Sequence, residues 1–258
     1  MKKALTPTER LIIAADFKPD PLKFRNSQHY LCAGAQRHWV RTQVLALADI
    51  LEGTGVYLKV NSALRACGYD LIHEIHARGL RVFADLKLFD ISETLSTDGV
   101  LLQEAKPELL TTCCAAGILA MKALKDQLPS TEVLGVTVLT SLNSADTNII
   151  HGGSIQDSVR KLAEQGIVAG IGGFISSPYE IKDLRDLVGD TMTINTPAIR
   201  PTWAIVSGDD QNPDRIMTPA KAIAAGADRI VVGRPIIKAE KPYDAVMRTI
   251  EEIASATT

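Results

Sequence analysis

Leu-Arg-Val-Phe-Ala-Asp-Leu-Lys (LRVFADLK, residues 80–87) is mostly apolar on both faces and carries an acid and a base at its carboxyl end. A strand reads this way when helices cover a parallel sheet from outside. Seven further short runs repeat the pattern: LIIAAD (11–16), GVYLKV (55–60), the run around TTCC (109–116), VLGVTVLT (133–140), IVAGIGGF (167–174), TMTIN (191–195) and RIVVG (229–233). Helix-like segments fall between or after them, at about 40–52, 62–78, 92–105, 116–127, 154–165, 178–187, 215–226 and 241–255. Eight strand-plus-helix units within 258 residues predict an α/β chain folded as one closed (β/α)₈ TIM barrel over residues 1–258.

The boundary residues agree. Ser177 precedes Pro178 and reads as a helix cap with proline at the first helical position. Gly79, Gly166 and Gly226 stand where helices should stop before the next strand. A doubly wound open sheet is the competing architecture, but no glycine-rich dinucleotide fingerprint follows residues 11–16. One stretch is out of proportion. Around residues 19–40, after Lys18-Pro19-Asp20-Pro21, the first strand-to-helix connection is longer than usual and includes His29, Tyr30, His38 and Trp39, so it reads as a lid or an added surface element.

Bulk properties exclude several classes. Hydrophobic residues make up 46% and charged residues 22% of the chain, which rules out a disordered protein. A formal net charge of -2 without long runs of one sign gives no basic field for nucleic acid. No apolar run is long enough for a membrane span, and MKKALTPTER lacks the apolar core of a secretory signal, so a cytoplasmic protein is expected. Cys32, Cys67, Cys113 and Cys114 form no CxxC pair and read as reduced, mostly buried thiols. His73 and His76 are three apart on a helix-like segment, where surface or packing roles are expected rather than metal binding.

The active site of a (β/α)₈ barrel lies at the carboxyl ends of its strands. Asp16, Lys59, Asp85 and Lys87 all fall there, and Asp90 follows where the chain turns into a helix. Charges are rarely buried unpaired, so this set implies an alternating acid–base network. Lysines between carboxylates stay protonated and can deliver a proton to a forming carbanion, while a fixed aspartate disfavours a nearby substrate carboxylate. The bland reading is a salt-bridge cluster bracing the barrel mouth. After the eighth run, Gly233-Arg234-Pro235 offers backbone donors and a guanidinium for an anion, and TPAIRP (196–201) follows the seventh. Phosphate often binds between those two loops of a barrel.

With these residues in place the chain resembles the orotidine 5′-phosphate decarboxylase family, from about Arg10 to Arg248. The resemblance rests on ordered blocks: AAD (14–16), LKV (58–60), FADLKLFDISET (83–94), VTVLTSL (136–142), SSPYEI (176–181), TPAIRP (196–201), GDDQ (208–211) and GADRIVVGRPI (226–236). It implies decarboxylation of orotidine 5′-monophosphate to UMP, the last step of de novo pyrimidine synthesis, without metal or organic cofactor. Carried over to this chain, it makes Lys59, Asp85, Lys87 and Asp90 the catalytic network, with Lys87 protonating C6 of the pyrimidine. It puts Asp16 and Lys59 on the ribose hydroxyls and Ser141 on the pyrimidine edge. Gln211, Gly233 and Arg234 fall on the phosphate, and Pro197 begins the loop over the nucleotide. Asp90 and Thr94 reach a neighbouring subunit's site, so a homodimer is implied.

The chain departs from the family pattern in places. Ser92-Glu93 stands where Pro-Asn or Gly-Asn is common, Asn61 and Ala198 replace common glycines, and Cys113 lies near a frequent histidine. Asn212-Pro213-Asp214 lengthens the segment after Gln211. Two alternatives stay open. Magnesium-dependent sugar-phosphate decarboxylases and synthases of similar fold share the D-x-K box, but an ammonium at Lys59 repels the metal. A silent nucleotide-binding or scaffold barrel has no use for the whole charge set.

Overall fold

The computed structural model describes residues 4–20, 34–204 and 217–256. Eight strands pair in parallel, in chain order, and close on themselves. They are β1 (Leu11–Ala14), β2 (Tyr57–Val60), β3 (Arg81–Leu88), β4 (Leu109–Cys113), β5 (Glu132–Val136), β6 (Gly173–Ile175), β7 (Thr193–Thr196) and β8 (Arg229–Val232). Closure is made by Leu11 against Ile230 and Ile13 against Val232. The expected closed (β/α)₈ barrel is therefore the observed fold, and the open sheet is excluded.

The helices are α1 (Ala35–Ile50), α2 (Ser62–Cys67), α3 (Asp70–His76), α4 (Ser92–Ala105), α5 (Ile118–Asp126) and α6 (Ser144–His151). They continue with α7 (Ile155–Ala169), α8 (Ile181–Val188), α9 (Pro219–Ala224), α10 (Arg234–Ile237) and α11 (Pro242–Ser255). No helix among the described residues is long and apolar enough to cross a membrane.

Alternation along the strands divides the core. Ile12, Ala14, Tyr57, Phe83, Leu109, Leu134 and Val231 pack together inside the barrel. The intervening residues, such as Ile13, Leu58, Val82, Leu110 and Ile230, join the larger cluster beneath the helices. This is the double coverage that the apolar runs imply. The inner column turns polar at its amino-terminal end. There Arg229 grips Glu132 through Nη2–Oε2 at 2.8 Å and Nη1–Oε1 at 3.3 Å, and donates to Asn195 Oδ1 at 3.1 Å. The Tyr57 ring lies between Arg81 and Arg229, each guanidinium 5.4 Å from its centre.

Several boundaries differ from the sequence reading. The helix expected at 62–78 is broken at Gly68, whose φ of 83° suits glycine, so α2 and α3 are separate. Residues 167–169 belong to α7 and not to a strand; the helix stops at Gly170, φ 71°, rather than at Gly166. β5 ends at Val136, well short of Thr140. Ser177 does not cap a helix beginning at Pro178: its N–H donates to the Glu180 carboxylate across a turn, and α8 starts at Ile181. Helix α1 begins at Ala35, so the expected long connection is shorter at its far end. Most of that segment, with His29, Tyr30 and Cys32, lies outside the described residues.

Candidate active site

The site is built on an irregularity of β3. Ala84 pairs with Leu110 and Leu88 with Thr112, so Asp85, Leu86 and Lys87 all stand opposite the single residue Thr111. Such a bulge bends the strand and re-aims its side chains. Lys87 carries the bend with φ of 50°, a left-handed conformation that costs a residue with a Cβ about 1–2 kcal/mol. Side chains of β4 take up the displaced backbone groups. The Lys87 N–H donates to Thr111 Oγ1 at 2.9 Å, Thr112 Oγ1 donates to the Leu88 carbonyl at 2.9 Å, and the Cys113 thiol donates to the Lys87 carbonyl at 3.5 Å.

A continuous ionic chain results. Asp16 follows β1 and meets Lys59 of β2, Oδ2–Nζ 2.9 Å. The same ammonium lies 3.2 Å from Asp85 Oδ2. On its other oxygen Asp85 accepts from Lys87 Nζ at 2.7 Å and from the Thr111 hydroxyl at 2.9 Å. Lys59 and Asp85 are buried at 8% and 7% exposure, whereas the Asp16 side chain remains 55% exposed. Burial pushes the Asp85 carboxyl up, but Lys59, Lys87 and the Thr111 hydroxyl together outweigh it and hold the group below its ordinary range.

These four charges line a cleft of about 370 Å³ at the carboxyl end of the barrel, a size within the usual range for small-molecule sites. Val136, Val138, Leu139 and Ile175 give it an apolar wall, and Pro197, Ala198, Arg200, Gly233 and Arg234 line it as well. Ala198 adopts φ of 62°, the backbone of the glycine that the family resemblance puts there. Of the residues singled out in the sequence, Asp16, Lys59, Asp85, Lys87, Pro197, Gly233 and Arg234 come together here.

Asp90, Thr94 and Ser141 do not join the lining; all three are exposed. Asp90 accepts the N–H of Ile91 at 2.7 Å, at the entrance to α4. Gln211 and the Asn212–Asp214 segment lie outside the described residues. Thr140 and the buried Arg200 line the cleft although sequence reading did not single them out. Their signal was available: Thr140 adjoins Ser141 in the VTVLTSL block, and Arg200 lies three residues after Pro197 in TPAIRP.

Residues 9–249 match the Orotidine 5'-phosphate decarboxylase / HUMPS family. The chain belongs to that family. An orotidine 5'-phosphate decarboxylase of Gluconobacter oxydans is 40% identical over 200 residues, covering 74% of this chain and 83% of the relative. One from Afipia carboxidovorans is 35% identical over 254 residues, 97% of both chains. Among solved structures, the Lactobacillus acidophilus orotidine 5'-phosphate decarboxylase superposes with a TM-score of 0.73 at 25% identity, covering 95% of this chain and 99% of that one.

Proposed function

We propose that the chain decarboxylates orotidine 5′-monophosphate to UMP and carbon dioxide. The observation that carries this reading is the Asp16–Lys59–Asp85–Lys87 chain, with links of 2.7–3.2 Å, in one cleft with Arg200 and Arg234. The phosphate sits with Arg234, Arg200 and the Gly233 backbone, and Gln211 contributes to it from outside the described residues. Asp16 and Lys59 hold the ribose hydroxyls, Pro197 begins the wall over the nucleotide, and the Thr140–Ser141 pair meets the pyrimidine edge. Asp85, held as a carboxylate, faces the substrate carboxylate and opposes it. The C6–carboxylate bond breaks with its electron pair left on C6; that carbon takes a proton from the Lys87 ammonium, and the lysine regains one from solvent. Fixed charges aimed at the developing carbanion supply the stabilisation, and phosphate binding offsets the cost of pressing two carboxylates together.

The magnesium-dependent sugar-phosphate chemistry of similar barrels fits less well. Lys59 stands between Asp16 and Asp85, so its ammonium takes the position from which those carboxylates could hold a dication. Chelator-treated protein is expected to consume orotidine 5′-monophosphate with loss of its ultraviolet band, and Lys87→Ala to abolish that turnover while remaining folded. Failure of the metal-free protein, together with magnesium-restored turnover of a sugar phosphate, would overturn the assignment.

The working unit is a homodimer in which Asp90 and Thr94 complete the neighbouring site. Support comes from Phe89 and Ile91, which flank Asp90 with 65% and 70% of their surface exposed, an apolar patch of the kind that partners cover. Sedimentation should give twice the chain mass, and Ile91→Arg should yield monomers with lost turnover. An active monomer would sink the shared-site reading.

A further inference from the structure

We infer that Thr111 is a positioning residue for the reaction: its one hydroxyl fixes both the Lys87 backbone and the Asp85 carboxylate, and so sets the proton donor against the substrate. The inference rests on the decarboxylase reading of the cleft. Thr111 is fully buried on β4 and does not line the cleft, so it acts only through its neighbours. Its oxygen accepts the Lys87 N–H at 2.9 Å, and its proton goes to Asp85 Oδ1 at 2.9 Å. That same Asp85 oxygen accepts Lys87 Nζ at 2.7 Å, so hydroxyl, carboxylate, ammonium and the Lys87 main chain form one closed ring.

The ring answers a problem that the bulge creates. Three β3 residues face one β4 residue, which breaks the ladder register at Lys87, and its N–H goes to the Thr111 hydroxyl; a donor inside the fold left without an acceptor is costly. A serine or threonine hydroxyl can accept and donate at once; valine, of nearly the same shape, can do neither. Lys87 stays in its left-handed backbone because this acceptor holds it from one side while the Cys113 thiol holds its carbonyl from the other.

The test compares Thr111→Val with Thr111→Ser. Serine should keep kcat and KM near wild type. Valine should lower kcat by about tenfold to a hundredfold, the scale of a small misplacement of a reacting group, with KM for orotidine 5′-monophosphate little changed. Asp85 faces Lys59 from β2, which is itself paired with Asp16, Lys87 on its own strand, and Thr111 and Cys113 from β4. Valine removes one of the bonds that favour its charged form, so the acid limb of the pH profile should move to higher pH. Amide exchange at Lys87, read without substrate, should quicken in the valine variant and not in the serine one. If valine does not fold, Thr111→Cys, a weaker donor and acceptor, takes its place with the same directions expected. Wild-type kcat and an unmoved acid limb in the folded variant would overturn the proposal, as would equal losses in both variants. A wild-type protein inert toward orotidine 5′-monophosphate overturns the decarboxylase reading instead; the positioning role then falls with it, and the exchange rates still decide whether the hydroxyl clamps Lys87.

Discussion

Asp85 is where stability and activity meet at a single side chain. Its folded-state carboxyl lies below its ordinary value: burial raises it, and Lys59, Lys87 and Thr111 lower it by more. The group binds its proton more weakly folded than unfolded, so the stability it adds is complete above the unfolded value of about 4 and is lost as pH falls through the folded value. Urea unfolding from about pH 7 down to about pH 3 should show an acid loss that Asp85→Asn flattens; an unchanged slope in that variant would remove Asp85 from the linkage. Asp16, Lys59, Asp85 and Lys87 were legible in the sequence because a charge in an apolar strand needs a reason. Thr111 was not, since a threonine in a strand is ordinary and only its two partners reveal its work. Asp90 stood out as a charge just past the strand end and Thr94 by resemblance alone, and one chain leaves both on its surface.

Strands and helices were read well where their pattern was long and poorly where an apolar run was short. Residues 167–174 show why: Ile167, Val168 and Ala169 extend α7, yet beside the following glycines they look like the start of a buried strand. Gly166 is the informative position. Helix propensity favours alanine there by about 1 kcal/mol, but a Cβ would come within 2.6 Å of Phe174 and 2.8 Å of Ile171. Overpacking of that kind costs about 1–3 kcal/mol, so Gly166→Ala should lower the denaturant midpoint. A raised midpoint would mean that α7 can shift away from β6 at little cost. The two shortest site-forming features, α10 and the β3 bulge, gave no periodic signal: four residues make barely one helical turn, and a bulge is visible only against its partner strand.

The molecule as a whole separates its chemistry from one of its main braces. The ionic chain occupies the carboxyl end of the barrel, while Arg229, Glu132, Asn195 and Tyr57 occupy the opposite end, with the apolar layer of Phe83, Leu109 and Leu134 between them. Conserving stability at one face and catalysis at the other is the division expected of this architecture. Arg229→Ala removes both guanidinium contacts from the half-buried Glu132, which keeps the Thr193 hydroxyl, and should cost about 3 kcal/mol at most, while turnover per folded molecule stays near wild type below the melting range. A large fall in kcat under those conditions would show that the two ends are coupled. Closure of the barrel also governs how the chain is made. β1 ends at Ala14 and its partner β8 begins only at Arg229, so at roughly 5–20 residues per second the free edge of β1 waits on the ribosome for on the order of ten to forty seconds. Throughout that interval the edge of LIIA that β8 will cover presents unpaired backbone to any other strand nearby, an exposure that ends only when the last strand arrives.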